Sequence, residues 1–187
     1  MPLKSISFLA GMASYLAQIQ QSKCTDDRKK DLEPLVHFIR AQQANGQRPM
    51  AHFICTHNSR RSQFAQFWAQ VAADYYGVAF DAHSGGTEVT ALHTNALAAL
   101  QRAGAKTVAT GLENPKYSLW YAQERPPISL YSKLFTDLPS PAYGYAAVMT
   151  CSAADQSCPS AMPGATRLAL LYDDPKAFDG SPQEAQA

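Results

Sequence analysis

Phe8, Leu9, Met12, Tyr15, Leu16 and Ile19 recur at helical spacing and predict an amphipathic helix close to the start of the chain. Thr25 or Asp26 can cap a second helix running toward Gln43, with Leu32, Leu35, Val36 and Ile39 on one face. Pro34 marks a kink or a restart within it, and Asn45-Gly46 is a stop signal. Residues 1–47 therefore read as a helical extension whose role is packing, against the core or against a partner. Residues 48–187 read as the main domain.

From Pro49 the pattern changes to strands alternating with helices. Ala51 to Ile54 is a short apolar strand, and Ser62 to about Tyr76 is a helix ending at Gly77. Val78 to His83 reads as a second strand, Ser84-Gly85-Gly86 as a turn, and His93 to Ala103 as a helix closed by Gly104. Tyr145 to Thr150 is a buried strand, and Arg167 to Leu171 is another. This alternation predicts an α/β fold with a small central parallel sheet of about four strands flanked by helices. Residues 109–141, rich in Pro, Tyr and Ser, carry a weaker pattern. Lys116 to Tyr121 and Pro127 to Leu134 can pair as a hairpin around Arg125-Pro126.

Composition narrows the function classes. A net charge of +1 gives no global case for nucleic acid or an anionic membrane, so any anion site must be local. No apolar run approaches the roughly 20 residues of a membrane span. The segment from Lys4 to Ala13 has a short apolar stretch like that of a secretion signal, but its helical spacing favours an amphipathic helix. There are four cysteines: Cys24, Cys55, Cys151 and Cys158. Their spacing suits neither a dense disulfide scaffold nor a four-cysteine zinc site. Thiol chemistry in the reducing cytoplasm is the expectation, with no metal and no cofactor. The pattern fixes no oligomeric state.

In an open parallel sheet the chemistry sits beyond the carboxyl ends of the strands. Segments starting at Cys55, Cys151 and Tyr172 each follow a predicted strand. After Cys55 come Thr56, His57, Asn58, Ser59, Arg60, Arg61 and Ser62, and then a helix. A loop entering a helix N-terminus turns successive N–H groups into one concavity, which suits phosphate or arsenate and favours a thiolate. Arg61 can curl back and bind two oxygens with its planar fork. Ser62 is placed to hydrogen-bond the Cys55 sulfur, and Asn58 to brace the loop. The bland reading is a structural cysteine followed by two solvated arginines. The loop lacks the Gly-Lys-Ser/Thr of a nucleotide-binding Walker loop.

The loop, Gln63 and the following helix resemble the low-molecular-weight protein tyrosine phosphatase superfamily. Within it, Cys151-Ser152-Ala153-Ala154-Asp155-Gln156-Ser157-Cys158-Pro159 is similar to the relay segment of thioredoxin-coupled arsenate reductases. Asp173-Asp174-Pro175 resembles the acid loop that phosphatases and reductases share. The resemblance spans about Ala51 to Phe178 and implies that fold. It implies that Cys55 attacks the arsenic of arsenate, that Arg61 and the loop amides stabilise the oxyanion, and that Asp174 protonates the leaving oxygen. Cys151 would then attack Cys55, Cys158 would attack Cys151, and a thioredoxin-like reductant would reduce the resulting disulfide. For this the segment between Cys151 and Cys158 must move or partly unwind.

There are departures from the family pattern. Gln66 stands where the reductases often carry a potassium-binding Glu, Arg60 adds a second charge to the loop, and His57 replaces a common Gly. His57-Asn58-Ser59-Arg60-Arg61-Ser62 is also similar to the loop of a longer bacterial branch called phosphatase or arsenate reductase. The family continues past the acid loop into a long final helix, whereas this chain stops at Ala187 after Pro182-Gln183-Glu184-Ala185. Either the N-terminal helices replace that packing or the helix is missing. Two alternatives to arsenate reduction stay open. One is a phosphatase using Cys55, Arg61 and Asp174 alone, through a phosphocysteine. The other is an oxyanion- or redox-sensing binding protein with little turnover.

Overall fold

The structure is a computed structural model that describes residues 6–158 and 162–183. Pro159 of the relay segment, Lys4 and Ser5 of the N-terminal stretch, and Glu184-Ala185 lie outside the described residues. The chain runs α1 (Ala10–Ile19), α2 (Asp26–Ala44), β1 (Met50–Cys55), α3 (Arg61–Tyr75), β2 (Asp81–Gly86) and α4 (Thr94–Arg102). It continues through β3 (Lys106–Thr110), β4 (Lys116–Trp120), β5 (Ile128–Leu130), β6 (Tyr145–Met149), α5 (Ser152–Ser157) and β7 (Ala165–Ala169). A 3-10 turn, Phe135–Asp137, precedes β6, and another, Pro175–Phe178, follows β7.

Four strands form a parallel sheet in the order β2-β1-β6-β7. Every residue of β1 and of β6 is buried, as expected of parallel strands covered on both faces. The chain moves outward from β1 to β2 on one side and to β6 and β7 on the other. The carboxyl end of β1 is therefore the switch point where open α/β sheets place their sites.

Phe38 of α2, Phe53 of β1, Phe80, Val148 of β6 and Leu170 share one buried cluster with Ala73 of α3. On the other face Met50, Ile54 and Met149 pack with the relay segment. Met12 and Leu16 of α1 are buried with Phe67 and Val71 of α3, Leu100 of α4 and Leu130 of β5. Both N-terminal helices are thus seated on the α/β core. Thr25 caps α2 by accepting from the Arg28 N–H at 3.3 Å, and Asp26 and Asp27 suit the positive end of its dipole.

Two expectations change and a third is extended. Helix α2 runs unbroken through Pro34. Pro34 and Lys30 are both exposed, so the carbonyl that proline leaves without a donor is open to water. Ser84-Gly85-Gly86 is the end of β2 and not a turn, and the strand begins at Asp81 rather than Val78. The glycines are there for close approach. A Cβ at Gly85 would fall 2.5 Å from the Phe135 Cα, and one at Gly86 would fall 2.5 Å from the Thr56 carbonyl oxygen. The hairpin around Arg125-Pro126 forms as β4 and β5, but β3 joins it to give a three-stranded antiparallel sheet. Asp74 of α3 ties this sheet down. It accepts from the Tyr121 hydroxyl and pairs with Arg125 at 2.7 Å.

His52, in the middle of β1, is 1% exposed, and neither ring nitrogen has a hydrogen-bond partner. It stacks on Tyr145 at 4.1 Å, with His83 edge-on at 5.7 Å. Burial, and then the neighbouring His83, pull its pKa down to about 3. The Pro139 carbonyl, short of hydrogen-bonding geometry, opposes this only in part. His52 is therefore neutral in the fold and takes up a proton on unfolding below about pH 6.5. The unfolded chain binds more protons between that pH and 3, so stability falls as pH falls through the window. His83, also held low by burial, acts with the same sign. His52→Phe keeps the stack and should flatten the acid limb of urea midpoints measured from pH 7 to 4.5. An unchanged slope would assign the acid sensitivity to other groups.

Candidate active site

Cys55 ends β1, 4% exposed, with its Sγ 3.0 Å from Ser62 Oγ at the start of α3. The intervening backbone has its polarity sorted. The Thr56 carbonyl accepts from the Glu88 N–H at 2.9 Å, and that of His57 accepts from the Ser132 hydroxyl at 2.7 Å. The Asn58 carbonyl accepts from Gln63 Nε2 at 2.8 Å, that of Ser59 from the His93 N–H at 3.0 Å, and that of Arg60 from the Phe64 N–H at 2.9 Å. Among the described residues, the N–H groups of His57 to Ser62 donate no hydrogen bond. Carbonyls bonded outward, with free amides at a helix N-terminus, form a nest of the kind that can hold an anion.

Asn58 makes this turn possible. Its φ of 45° is left-handed, a region that Asn tolerates better than most residues. Its fully buried side chain donates to Ser62 Oγ at 2.8 Å and accepts from the Lys133 N–H at 3.1 Å. A chain of contacts thus runs from Lys133 through Asn58 and Ser62 to the Cys55 sulfur.

The loop borders a cavity of about 450 Å³ that also includes Arg61, His93, Asp174 and Asp179. Arg61 donates to the Tyr172 carbonyl at 3.2 Å and to Asp174 Oδ2 at 2.7 Å, while Asp174 Oδ1 accepts from the Lys176 N–H at 3.1 Å. Cys55, Arg61, Ser62 and Asp174 therefore meet at one place. Cys151, 1% exposed, follows β6 and lies next to the loop, its Sγ 3.8 Å from Thr56 Oγ1. Cys158 shares the buried cluster, and burial raises its pKa despite the opposing charge of Arg167.

The remaining loop side chains have other partners. The Arg60 fork engages Asp179 at 3.0 and 2.6 Å, Ser59 donates to the Ala91 carbonyl at 2.7 Å, and the exposed His57 ring lies 3.4 Å from Glu88. Gln66 is buried and accepts from the Ser84 hydroxyl at 2.6 Å. Cys24 is exposed on the segment before α2. Sequence reasoning missed Ser132, Lys133, His93 and Asp179. The first two are 75 residues from their loop partners and carry no motif. His93 could have been suspected as the N-cap of α4, where its Nδ1 accepts from the Asn95 N–H.

A four-stranded parallel sheet with a cysteine-arginine nest at the end of its first strand defines the class as low-molecular-weight phosphatase-like. No family model matches the chain. A curated relative, the arsenate reductase of Bacillus cereus (strain ZK / E33L), is 30% identical over 124 residues, covering 66% of this chain and 75% of the relative. A solved structure, the thioredoxin-dependent arsenate reductase of Corynebacterium glutamicum, aligns with a TM-score of 0.41 and 18% identity, covering 87% of this chain and 71% of that one. The chain belongs to the arsenate reductase family of the low-molecular-weight protein tyrosine phosphatase superfamily, a family of enzymes.

Asn58→Ala should deform the nest. It leaves the part-buried Lys133 N–H without its acceptor, at about 1 kcal/mol, and puts alanine at a positive φ. Phosphate should then fail to protect Cys55 from iodoacetamide, read by peptide mass spectrometry. Protection at the wild-type level would show that the loop keeps its shape without this side chain.

Proposed function

We propose that this chain reduces arsenate to arsenite through a relay of Cys55, Cys151 and Cys158. The observation that carries the reading is the burial of all three thiols in one cluster beneath an oxyanion nest. A phosphatase needs only the first of them.

In this reading arsenate sits on the amides of His57 to Ser62, with two oxygens on the Arg61 fork. The Cys55 thiolate, supported by the Ser62 hydroxyl, attacks arsenic, and Asp174 gives its proton to the oxygen that leaves as water. The Cys151 thiolate then attacks the Cys55 sulfur. The S–As bond breaks with its electron pair on arsenic, which leaves as arsenite, and a Cys55–Cys151 disulfide forms. Cys158 attacks Cys151, freeing Cys55 as thiolate, and a thioredoxin-like dithiol reduces Cys151–Cys158. The free thiols of all three residues suit a reducing, cytoplasmic setting.

The relay requires α5 to open. This helix has six residues, and Arg167 of β7 holds it through the carbonyls of Asp155 and Cys158 and the Asp155 carboxylate at 2.9 Å. So short a helix has little intrinsic stability, and a rise in the Cys158 pKa keeps that thiol protonated until the segment reaches solvent.

Serine variants separate the relay from the phosphatase alternative. Cys151→Ser should abolish arsenate reduction with thioredoxin and leave aryl phosphate hydrolysis near the wild-type rate. Cys158→Ser should complete one turnover and then accumulate a Cys55–Cys151 disulfide, visible by peptide mapping. Should both variants reduce arsenate at the wild-type rate, the relay is wrong.

A further inference from the structure

Arg61 carries two loads. It holds the acid loop through Tyr172 and Asp174, and in the proposed reaction its fork must turn to the oxyanion. Tyr172 and Asp174 hold the guanidinium in one orientation, and because its five donors lie in one rigid plane, turning the fork edge-on to an oxyanion draws those two bonds off. Substrate would thus loosen the acid loop at the moment the acid is needed.

The loop has other anchors. At its start, Arg28 of α2 donates to the Leu171 carbonyl at 3.3 Å and lies 4.2 Å over the Tyr172 ring. At its end, Asp179 receives both arms of the Arg60 fork, and Asn95 of α4 donates to it at 3.3 Å. The Arg60 side chain is 12% exposed, so this pair is shielded from solvent on one side. Its hydrogen bonds hold the Asp179 carboxyl below the usual carboxylate range, so the charge pair persists at neutral pH.

We propose that Asp179 is a positioning residue. By clasping Arg60 it keeps Asp174 over the nest once an oxyanion has taken Arg61. It also occupies both arms of the Arg60 fork, which leaves Arg61 as the arginine that turns to substrate. The proposal rests on the roles given above to Arg61 and Asp174.

Hydrogen exchange on the folded protein tests the clasp without catalysis. Arg61→Ala imitates an arginine turned away from the loop. Arg61→Ala and Asp179→Asn should each keep residues 172–180 protected, since the other anchor remains. The double variant should exchange there about tenfold faster, with Tm close to that of the single variants, as expected when two charge-assisted anchors back each other up. If the double variant exchanges no faster than Arg61→Ala, the clasp is not an anchor. Kinetics tests the consequence. Asp179→Asn should lower kcat on aryl phosphates with basic leaving groups about tenfold more than on those with acidic ones, without raising KM. Arg60→Gln should give the same pattern, and the double variant Arg60→Gln/Asp179→Asn should be no worse than either. An equal loss on all leaving groups, or additive losses, would overturn the positioning role. A wild-type protein that turns over neither aryl phosphate nor arsenate would count against the proposed function, and the exchange result would still decide the clasp.

Discussion

The peptide groups between Cys55 and Ser62 must point their N–H bonds inward and their carbonyls outward. Five consecutive carbonyls then need donors from elsewhere, because a buried carbonyl without one is costly. Those donors come from four regions: the segment after β2, the insert through Ser132, the first turns of α3, and the entry to α4 at His93. Gly86 at the end of β2, the left-handed Asn58 and the contact of the insert with the loop all serve this arrangement. The insert at residues 109–141 is thus part of the wall behind the nest, through Ser132 and the Lys133 N–H.

Charge around the site is arranged in pairs, each of which also fixes a segment. Arg61 meets Asp174, Arg60 meets Asp179, and Arg167 meets Asp155. At exposed positions such pairs add little stability, so their worth lies in geometry. Each joins a short element to the sheet or to the nest: the acid loop in two cases and α5 in the third. These are segments that must shift or hold position in the reaction proposed. The thiols follow a different rule. All three lie in one buried, largely apolar cluster. Cys55 has the Ser62 hydroxyl 3.0 Å from its sulfur, whereas burial pushes the Cys158 pKa up.

Much of this was legible in the chain. The spacing of Met12 and Leu16, the Thr25 cap, the apolar runs at β1 and β6, and the succession strand, Cys55, small polar loop, helix all encode local structure. The hairpin of the insert was visible because its two strands are adjacent in sequence. The addition of β3 was not, since Lys106 to Thr110 carry no clear alternation. The Ser84-Gly85-Gly86 stretch misled because glycine pairs mark turns far more often than strand ends pressed against a neighbouring backbone. That pressure exists only once β1, β2 and the Phe135 turn are assembled.

Residue type and local order, by themselves, determined the α/β class, the position of Cys55 before a helix, and the candidate roles of Arg61, Ser62, Cys151, Cys158 and Asp174. These depend on neighbours within a few residues, where backbone geometry is fixed by the period of the element. The carboxylate partner of each loop arginine was not determined there. Arg60 and Arg61 are adjacent and chemically identical, and only the fold brings Asp179 to one and Asp174 to the other, across 119 and 113 residues of chain. The supply of donors to the loop carbonyls was likewise settled in space, because a hydrogen bond between distant segments leaves no period or spacing in the sequence to read.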